Sequence, residues 1–231
     1  MTFLELCQRF WQEAGLSGPG PQSVSNARGM EGKAVRWVQT AWLDIQASRR
    51  GWRFLRRWVT VPLQPGQRDY AVMQTSGPVV APGFAPDWRL PVEEPGAANL
   101  IDANGTVYPL VWLDWPSFRS RYQGVAPSTG QPDTLTQPTA NILRLNVLPE
   151  QACSLQLEYI SKPQVLLNNL DVPQIAEHLQ PVIIWKALQL YCGNDSATEL
   201  FQLSALQLKS AMSALLLEEL APPSLTGRAL G

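Results

Sequence analysis

The spacing of apolar residues changes character twice along the chain. A short apolar stretch from residue 2 to residue 14 predicts a first helix. Between residues 31 and 49, apolar side chains recur at steps of three and four, which predicts a second helix with one buried face: Val35, Val38, Trp42 and Ile45. Gly51 and Trp52 interrupt this pattern, so we expect the helix to end before them.

Strict alternation of apolar and polar residues marks the middle of the chain. Fifteen of the 20 prolines fall between residues 61 and 173, and proline at this density is incompatible with helix interiors. The alternation is clearest in residues 143–147 and 155–159, which predict an antiparallel hairpin with one buried face. We also expect strands at residues 58–63, 68–72 and 107–113 and a long surface loop at residues 77–96.

Helical periodicity returns near residue 178. A helix is predicted from His178 to Tyr191, with Pro181 in its first turn. Ser196 and Glu199 have the spacing of a capping box and predict the start of a last helix. Its expected packed face is Phe201, Ala205, Leu208, Met212 and Leu215. We expect the two helices to form an antiparallel hairpin that packs on the N-terminal helices.

The order of these segments predicts an α+β fold. N-terminal and C-terminal helices would form a helical bundle, and the central region would form an antiparallel β-sheet or small β-sandwich. The expected regions are the N-terminal helices (1–57), a β-rich central region (58–173), the C-terminal helical hairpin (174–221) and a flexible C-terminal tail (222–231).

Composition argues against several classes of protein. Charged residues make up 16% of the chain, compared with about 25% in typical soluble domains. With a net charge of −1 and nine Trp, the chain is neither a uniformly basic nucleic-acid binder nor a disordered acidic tail. The cysteines, Cys7, Cys153 and Cys192, lie too far apart to suggest a disulfide framework or a zinc site. No signal peptide or membrane span is visible, so we expect a soluble protein made in the cytoplasm.

The sequence contains no recognisable active site. His178 is the only histidine and lacks a nearby metal-binding or catalytic pattern. Gly15, Gly18 and Gly20 do not follow a predicted strand, which argues against a phosphate-binding loop. The paired carboxylates at residues 93–94 and 218–219 suit solvated positions. We therefore expect no catalysis, no cofactor and no metal.

Positive charge is concentrated near residue 50. Residues 1–60 contain nine Lys and Arg against four Asp and Glu, whereas the remainder contains nine against fifteen. Most of the excess comes from one cluster, Arg49, Arg50, Arg53, Arg56 and Arg57, interleaved with Trp52 and Phe54 and followed by Trp58. Arginine with aromatics is typical of protein interfaces and of single-stranded nucleic-acid sites. We favour an interface with an acidic protein surface; a solvated helix end and direct DNA contact remain as alternatives.

Several stretches resemble the head-to-tail adaptor proteins of tailed bacteriophages, also called connector or head completion proteins. The most distinctive is L-D-W-x-x-F-R-x-x-Y at residues 113–122. The others, in chain order, are residues 7–9 with 13–20, residues 38–46 followed by 51–55, and residues 157–164 followed by 172–173 and 184–188. The resemblance runs from about residue 7 to residue 220.

The resemblance implies a non-catalytic structural protein of the virion, located at the neck and made in the host cytoplasm. Such adaptors form a ring of copies, usually a dodecamer, beneath the portal protein. The ring extends the DNA channel and docks the tail or nozzle protein. Double-stranded DNA would pass through without sequence recognition, and no membrane is involved. We expect the C-terminal tail to order on docking to the portal, with these residues: Pro222, Pro223, Leu225, Arg228 and Leu230.

An alternative function is a non-catalytic binding module. In that interpretation, a β-sandwich with helical additions binds a ligand or a glycan. Trp88, Trp112 and Trp115 would supply the stacking platform.

Overall fold

The structure, a computed structural model, describes residues 1–49, 51–71, 96–122, 124, 126–139, 142–195 and 198–220. The chain divides into two compact units. The helical unit comprises Met1–Leu55 and Pro163–Gly231, and the β unit comprises Arg56–Lys162. Helices at both ends of the chain and antiparallel sheets between them confirm the predicted α+β class.

The four predicted helices occur in the predicted order, and a fifth helix lies between the second and the third. In chain order the helical elements are α1 (Phe3–Glu13), α2 (Gly29–Ser48), a 3-10 turn (Arg53–Leu55), α3 (Trp115–Tyr122), a second 3-10 turn (Glu177–Leu179), α4 (Pro181–Asp195) and α5 (Thr198–Glu219). A capping box between Thr2 and Glu5 fixes the start of α1. α4 begins at Pro181, three residues after the predicted start at His178, so Pro181 lies in the first turn as predicted, where its missing N–H costs no hydrogen bond.

The predicted break after the first C-terminal helix was placed too early. α4 continues through Gly193 to Asp195 instead of ending near Tyr191. Ser196, the first residue of the predicted capping box, lies outside the described residues.

α4 is the central helix of the helical unit. It packs against α1, α2 and α5. Because it has a neighbour on several sides, its buried residues are not confined to one stripe: Val182, Ile183, Ile184, Ala187, Leu188, Tyr191 and Cys192. α2 contributes the fully buried Trp42 to this packing. An ion pair also joins the two helices, with Lys186 Nζ of α4 lying 3.8 Å from Asp44 Oδ2 of α2.

The packed face of α5 agrees with the predicted one at Leu215, which is buried, and at Ala205, Leu208 and Met212, which are half-buried, but not at Phe201. α5 packs mainly on α4, so α4 provides the contact with the N-terminal helices that we had expected of both. Ser204 and Leu215 are fully buried, whereas Phe201 is 44% exposed. The prediction counted only apolar residues. A small side chain such as Ser204 instead allows close helix approach, and its hydroxyl donates to the Phe201 carbonyl at 2.9 Å.

Residues 163–173 return the chain from the β unit to the helices without regular secondary structure. Leu166 is fully buried, and its carbonyl accepts a hydrogen bond from Gln39 Nε2 of α2 at 2.8 Å. The Phe3 N–H of α1 donates to the Asp171 carbonyl at 2.7 Å. The backbone groups of this segment lie outside regular secondary structure, and side chains and helix ends supply hydrogen-bond partners for them.

The β unit contains two four-stranded sheets. The first has the order β1-β10-β3-β4 and the second β2-β8-β7-β5, while β6 and β9 form a separate pair. The strands are β1 (Arg56–Leu63), β2 (Asp69–Ala71), β3 (Ala98–Ile101), β4 (Val107–Pro109), β5 (Val111–Trp112), β6 (Thr129–Gly130), β7 (Thr134–Thr139), β8 (Ile142–Leu145), β9 (Leu148–Pro149) and β10 (Cys153–Ile160). Pairing within the two four-stranded sheets is antiparallel except between β5 and β7, and the β6–β9 pair is parallel.

The two sheets share one hydrophobic core. The predicted hairpin of residues 143–147 and 155–159 is wrong, because these strands do not pair with each other. β8 and β10 lie in different sheets, although their leucines, Leu143, Leu145, Leu155 and Leu157, all face this core. Alternation therefore identified the buried face of each strand correctly, but it carries no information about which strand pairs with which.

Two further predictions for the middle of the chain need correction. Residues 107–113 are not one strand: the chain changes sheets at the buried Leu110, so β4 and β5 belong to different sheets. α3 was not predicted at all, because its eight residues are too few for a helical period to emerge. The expected loop at residues 77–96 falls outside the described residues except for Gly96.

Candidate protein-interaction surfaces

The arginine cluster is divided between the two units. Arg49 lies at the C-terminal end of α2 and is exposed. Arg53 is also exposed, and its Nη1 donates to the Glu218 carbonyl of α5 at 3.3 Å. Arg50 lies outside the described residues. Arg49 and Arg53 thus put positive charge on the surface of the helical unit.

Arg56 and Arg57 belong to β1 and are engaged within the β unit. Arg56 Nη1 lies 3.3 Å from Glu158 Oε1 of β10, with both side chains largely buried. Arg57 Nη1 donates to the Arg56 carbonyl at 2.7 Å. A largely buried ion pair of this kind supports the sheet, because removing either partner leaves the other charge uncompensated.

The aromatic residues in and next to this arginine cluster are mainly core residues. Phe54 stacks on Trp42 with ring centroids 5.4 Å apart and on Trp52 at 5.5 Å. Trp52 is fully buried, and its Nε1 donates to the Ile45 carbonyl at 3.1 Å. Trp58 is different, being 54% exposed on β1. The geometry therefore gives this segment no series of stacking rings of the kind that single-stranded nucleic acid needs.

α5 carries an apolar surface that the sequence analysis missed. Opposite its packed face runs a line of exposed residues at steps of three and four, which we call the α5 seam: Leu203, Leu206, Ser210, Ser213 and Leu217. Lys209 is the only charged residue between Phe201 and Leu217. The signal was present as a second apolar series on the same helix. It was overlooked because one packed face was assumed.

By length and composition α5 resembles a membrane-spanning helix, with a mean hydropathy of 1.3 over its most apolar stretch. It is the one helix among the described residues that meets this condition. The expectation of no membrane partner stays a prediction.

A second exposed apolar surface lies on residues 163–172, which we call the 163–172 loop. Its exposed apolar side chains are Val165, Leu167, Leu170 and Val172. The loop is tightly held: the Asp171 carboxylate accepts hydrogen bonds from the backbone N–H groups of Asn168 at 2.8 Å and Leu167 at 2.6 Å. These bonds hold the pKa of Asp171 below its usual range.

Two of the three tryptophans of the glycan-binding alternative, Trp112 and Trp115, are used in packing. Trp112 packs against the core of the β unit. Trp115 stacks on Phe118 with centroids 6.1 Å apart and has the Arg144 guanidinium 5.5 Å from its ring centroid. Arg144 forms a bidentate ion pair with Asp69: its Nε donates to Oδ1 at 2.6 Å and its Nη2 donates to Oδ2 at 2.8 Å. Trp88 lies outside the described residues.

A cleft in the β unit is lined in part by polar side chains. Asp102, Tyr108, Glu150 and Cys153 lie on its wall. Hydrogen bonds hold the pKa of Asp102 below its usual range, and the bond from the backbone N–H of Thr106 contributes most. The Asp102 carboxylate therefore stabilises the turn in which it lies. No group of three or more His, Cys, Asp or Glu side chains that could hold a metal occurs within the described ranges.

The remaining candidate residues lie at the chain's C-terminal side. His178 is an exposed residue of the second 3-10 turn, with Nε2 3.0 Å from the Glu218 carboxylate of α5. The predicted portal-docking residues, Pro222, Pro223, Leu225, Arg228 and Leu230, all lie outside the described residues.

Comparison with known proteins agrees with the resemblance noted in the sequence. No curated protein matches the chain. The model of the SU10 adaptor protein family matches residues 1–228, nearly the whole chain. The chain therefore belongs to the SU10 adaptor protein family, a family of phage head-to-tail adaptors.

Proposed function

We propose that this protein forms a ring beneath the portal of a tailed phage, extends the DNA channel and docks the tail, without catalysing a reaction. Membership of a head-to-tail adaptor family implies portal and tail partners in general and a place at the virion neck. That membership, from a match over residues 1–228, is the observation that carries the proposal.

The exposed surface of the helical unit supports an assembling subunit. The α5 seam and the 163–172 loop expose large apolar side chains, with Leu217 84% and Leu170 81% exposed. Exposed apolar surface beyond isolated residues is typical of interfaces. A subunit that must contact ring neighbours needs such surface.

Arg49 and Arg53 are proposed to contact an acidic surface of a partner. Both side chains are exposed and lie on the helical unit. Arg50 is assigned to the same proposed interface from its place in the sequence alone. Arg56 and Arg57 are left out of it, because both already have contacts within the β unit. The C-terminal residues 222–231 are proposed as the portal-docking segment on the basis of the family resemblance.

The deciding experiment is a light-scattering mass of the purified chain, alone and mixed with the portal protein of the same virus. The chain alone has a mass of 25.6 kDa. A defined complex containing many adaptor copies on one portal is expected, and the copy number follows from its mass. A 25.6 kDa species that does not respond to portal would contradict the proposal.

The arginine role is tested by replacing Arg49 and Arg53 with Ala. Portal binding is expected to weaken and to lose part of its salt dependence, because exposed charges attract a partner most strongly at low ionic strength. The matched control replaces Lys33 and Arg36, two exposed cations of α2, with Ala. Equal binding by both double variants would remove Arg49 and Arg53 from the interface.

A further inference from the structure

The α5 seam has the geometry of one half of a helix interface. Its residues alternate at steps of three and four, which keeps them on one stripe of the helix. Leu206 is 67% exposed and Leu217 84% exposed, and between them stand two serines, Ser210 and Ser213. Large side chains on both sides of small ones leave a shallow depression that a protruding side chain can fill.

The 163–172 loop carries such a side chain. Leu170 is 81% exposed and Leu167 is 63% exposed, at the tip of a turn closed by the Asp171 carboxylate. The base of the turn is fixed to α1, because the Leu4 N–H donates to the Asn169 carbonyl at 3.2 Å. Asn169 Oδ1 also accepts a hydrogen bond from the Val24 N–H at 2.8 Å. A loop held in this way loses little conformational entropy when it binds.

The charges of the two surfaces are complementary. Asp171 is the only charged residue in the 163–172 loop, and it directly follows Leu170. Lys209 is the only charged residue between Phe201 and Leu217, and it directly precedes Ser210. Seating Leu170 against Ser210 and Ser213 therefore brings a lone anion towards a lone cation in surroundings that carry no other charge.

We propose that the 163–172 loop of one copy docks on the α5 seam of the next copy, with Leu170 between Leu206 and Leu217 and Asp171 beside Lys209. This inference rests on the proposed ring and assigns its subunit contact. The two surfaces belong to different elements of the same unit, the loop held by α1 and α2 and the seam carried by a helix packed on α4. A contact between unlike surfaces is head-to-tail, and such contacts form a ring when the rotation from copy to copy closes.

The test is a disulfide between neighbouring copies. The Leu170→Cys/Leu206→Cys double variant is assembled with the portal protein of the same virus, oxidised and separated on a non-reducing denaturing gel. A ladder of cross-linked species up to the ring copy number is expected. The two single variants, mixed in equal amounts, provide the control: they can join copies only in pairs, so they should give dimers without a ladder.

A second variant probes the contact without new cysteines. Leu206→Asp places a charge in the seam, and we expect at least about a tenfold loss of assembled ring, since a buried unpaired charge is costly. Gln12→Asp introduces the same charge at an exposed position of α1 and should assemble normally. Circular dichroism and thermal melting of the Leu206→Asp chain establish that the monomer remains folded.

The outcomes separate this inference from the proposed function. If rings form on the portal but the double variant gives no ladder, the proposed function stands and this contact is wrong. If Leu206→Asp leaves the ring intact but abolishes portal binding, the seam belongs to the portal and the inference is again wrong. If the unmodified chain forms no complex with portal, the proposed ring fails and the contact fails with it.

Discussion

Gln46 of α2 and Gln164, just after the return from the β unit, are joined by two reciprocal hydrogen bonds. Gln46 Nε2 donates to the Gln164 carbonyl at 3.0 Å, and the Gln164 N–H donates to Gln46 Oε1 at 2.6 Å. Gln46 is only 2% exposed. One buried amide therefore satisfies both backbone groups of a residue 118 positions away and fixes where the chain re-enters the helical unit.

Replacing Gln46 with Met removes both bonds at nearly constant volume. The free energy of unfolding should fall by roughly 1–3 kcal/mol, because the N–H and carbonyl of Gln164 lose their partner in a poorly hydrated site. Urea unfolding followed by circular dichroism measures the change. Gln12→Met, at an exposed position of α1, is the matched control and should stay within about 0.5 kcal/mol of the unmodified chain. Equal stability of the two variants would show that Gln46 is not a structural link.

The Tyr70 hydroxyl organises the turn between β1 and β2. It donates to the Gln67 carbonyl at 2.6 Å and accepts a hydrogen bond from the Gln64 N–H at 3.1 Å, while the residue is only 6% exposed. Tyr70→Phe should lower the free energy of unfolding of the β unit by roughly 1–3 kcal/mol, since the aromatic ring stays in the core but two backbone groups lose a partner. Urea unfolding followed by circular dichroism provides the measurement, and a change below about 0.5 kcal/mol would contradict the assignment.

The N-terminal helices and the start of α4 were predicted well because each carries a local signal of adequate length, which the eight-residue α3 lacks. α1 and α2 begin and end within two residues of the predicted positions, and Pro181 marks the start of α4. Apolar periodicity over three or more turns and proline at a helix start both depend on neighbours in sequence, so one sequence suffices to detect them.

Pairing and packing partners were the parts that the sequence could not supply. Nothing local distinguishes a β8–β10 hairpin from two strands in separate sheets that face the same core. The Gln46–Gln164 link is likewise invisible, because its partners are far apart in sequence. The arginine cluster was visible as charge, but its division into exposed Arg49 and Arg53 and paired Arg56 depends on tertiary contacts.

Asp171 should give the helical unit a stability that depends on pH. Hydrogen bonds from the N–H groups of Asn168 and Leu167 hold its pKa below the usual value, so they stabilise the charged form in the folded chain. That contribution is present above the pKa of the unfolded chain, about 3.9, and is lost as the pH falls through the lower folded pKa. Asp171→Asn removes the titrating group, so its deficit relative to the unmodified chain should be largest near neutral pH and shrink below about pH 4. Urea unfolding at a series of pH values tests this, and a deficit independent of pH would contradict it.

Thiol reactivity offers a separate test of the packing of both units. Cys7 is fully buried, and burial raises its pKa to about 12. Cys192 is also buried, while Cys153 is half-buried, with its pKa raised by burial. Because the thiolate is the reactive form, labelling of the native chain at pH 8 with a disulfide reagent should be slow and confined to Cys153.

All three cysteines should react promptly once the chain is unfolded in denaturant, and mass spectrometry of the labelled peptides identifies each site. Cys153→Ser provides the control, since its native form should remain essentially unlabelled over the same period. Prompt labelling of Cys7 in the native chain would mean that the contact of α1 with α4 opens readily, because Cys7 lies in the core of the helical unit. The same low background makes the Leu170→Cys/Leu206→Cys cross-link interpretable, since the native thiols would then contribute little to any ladder.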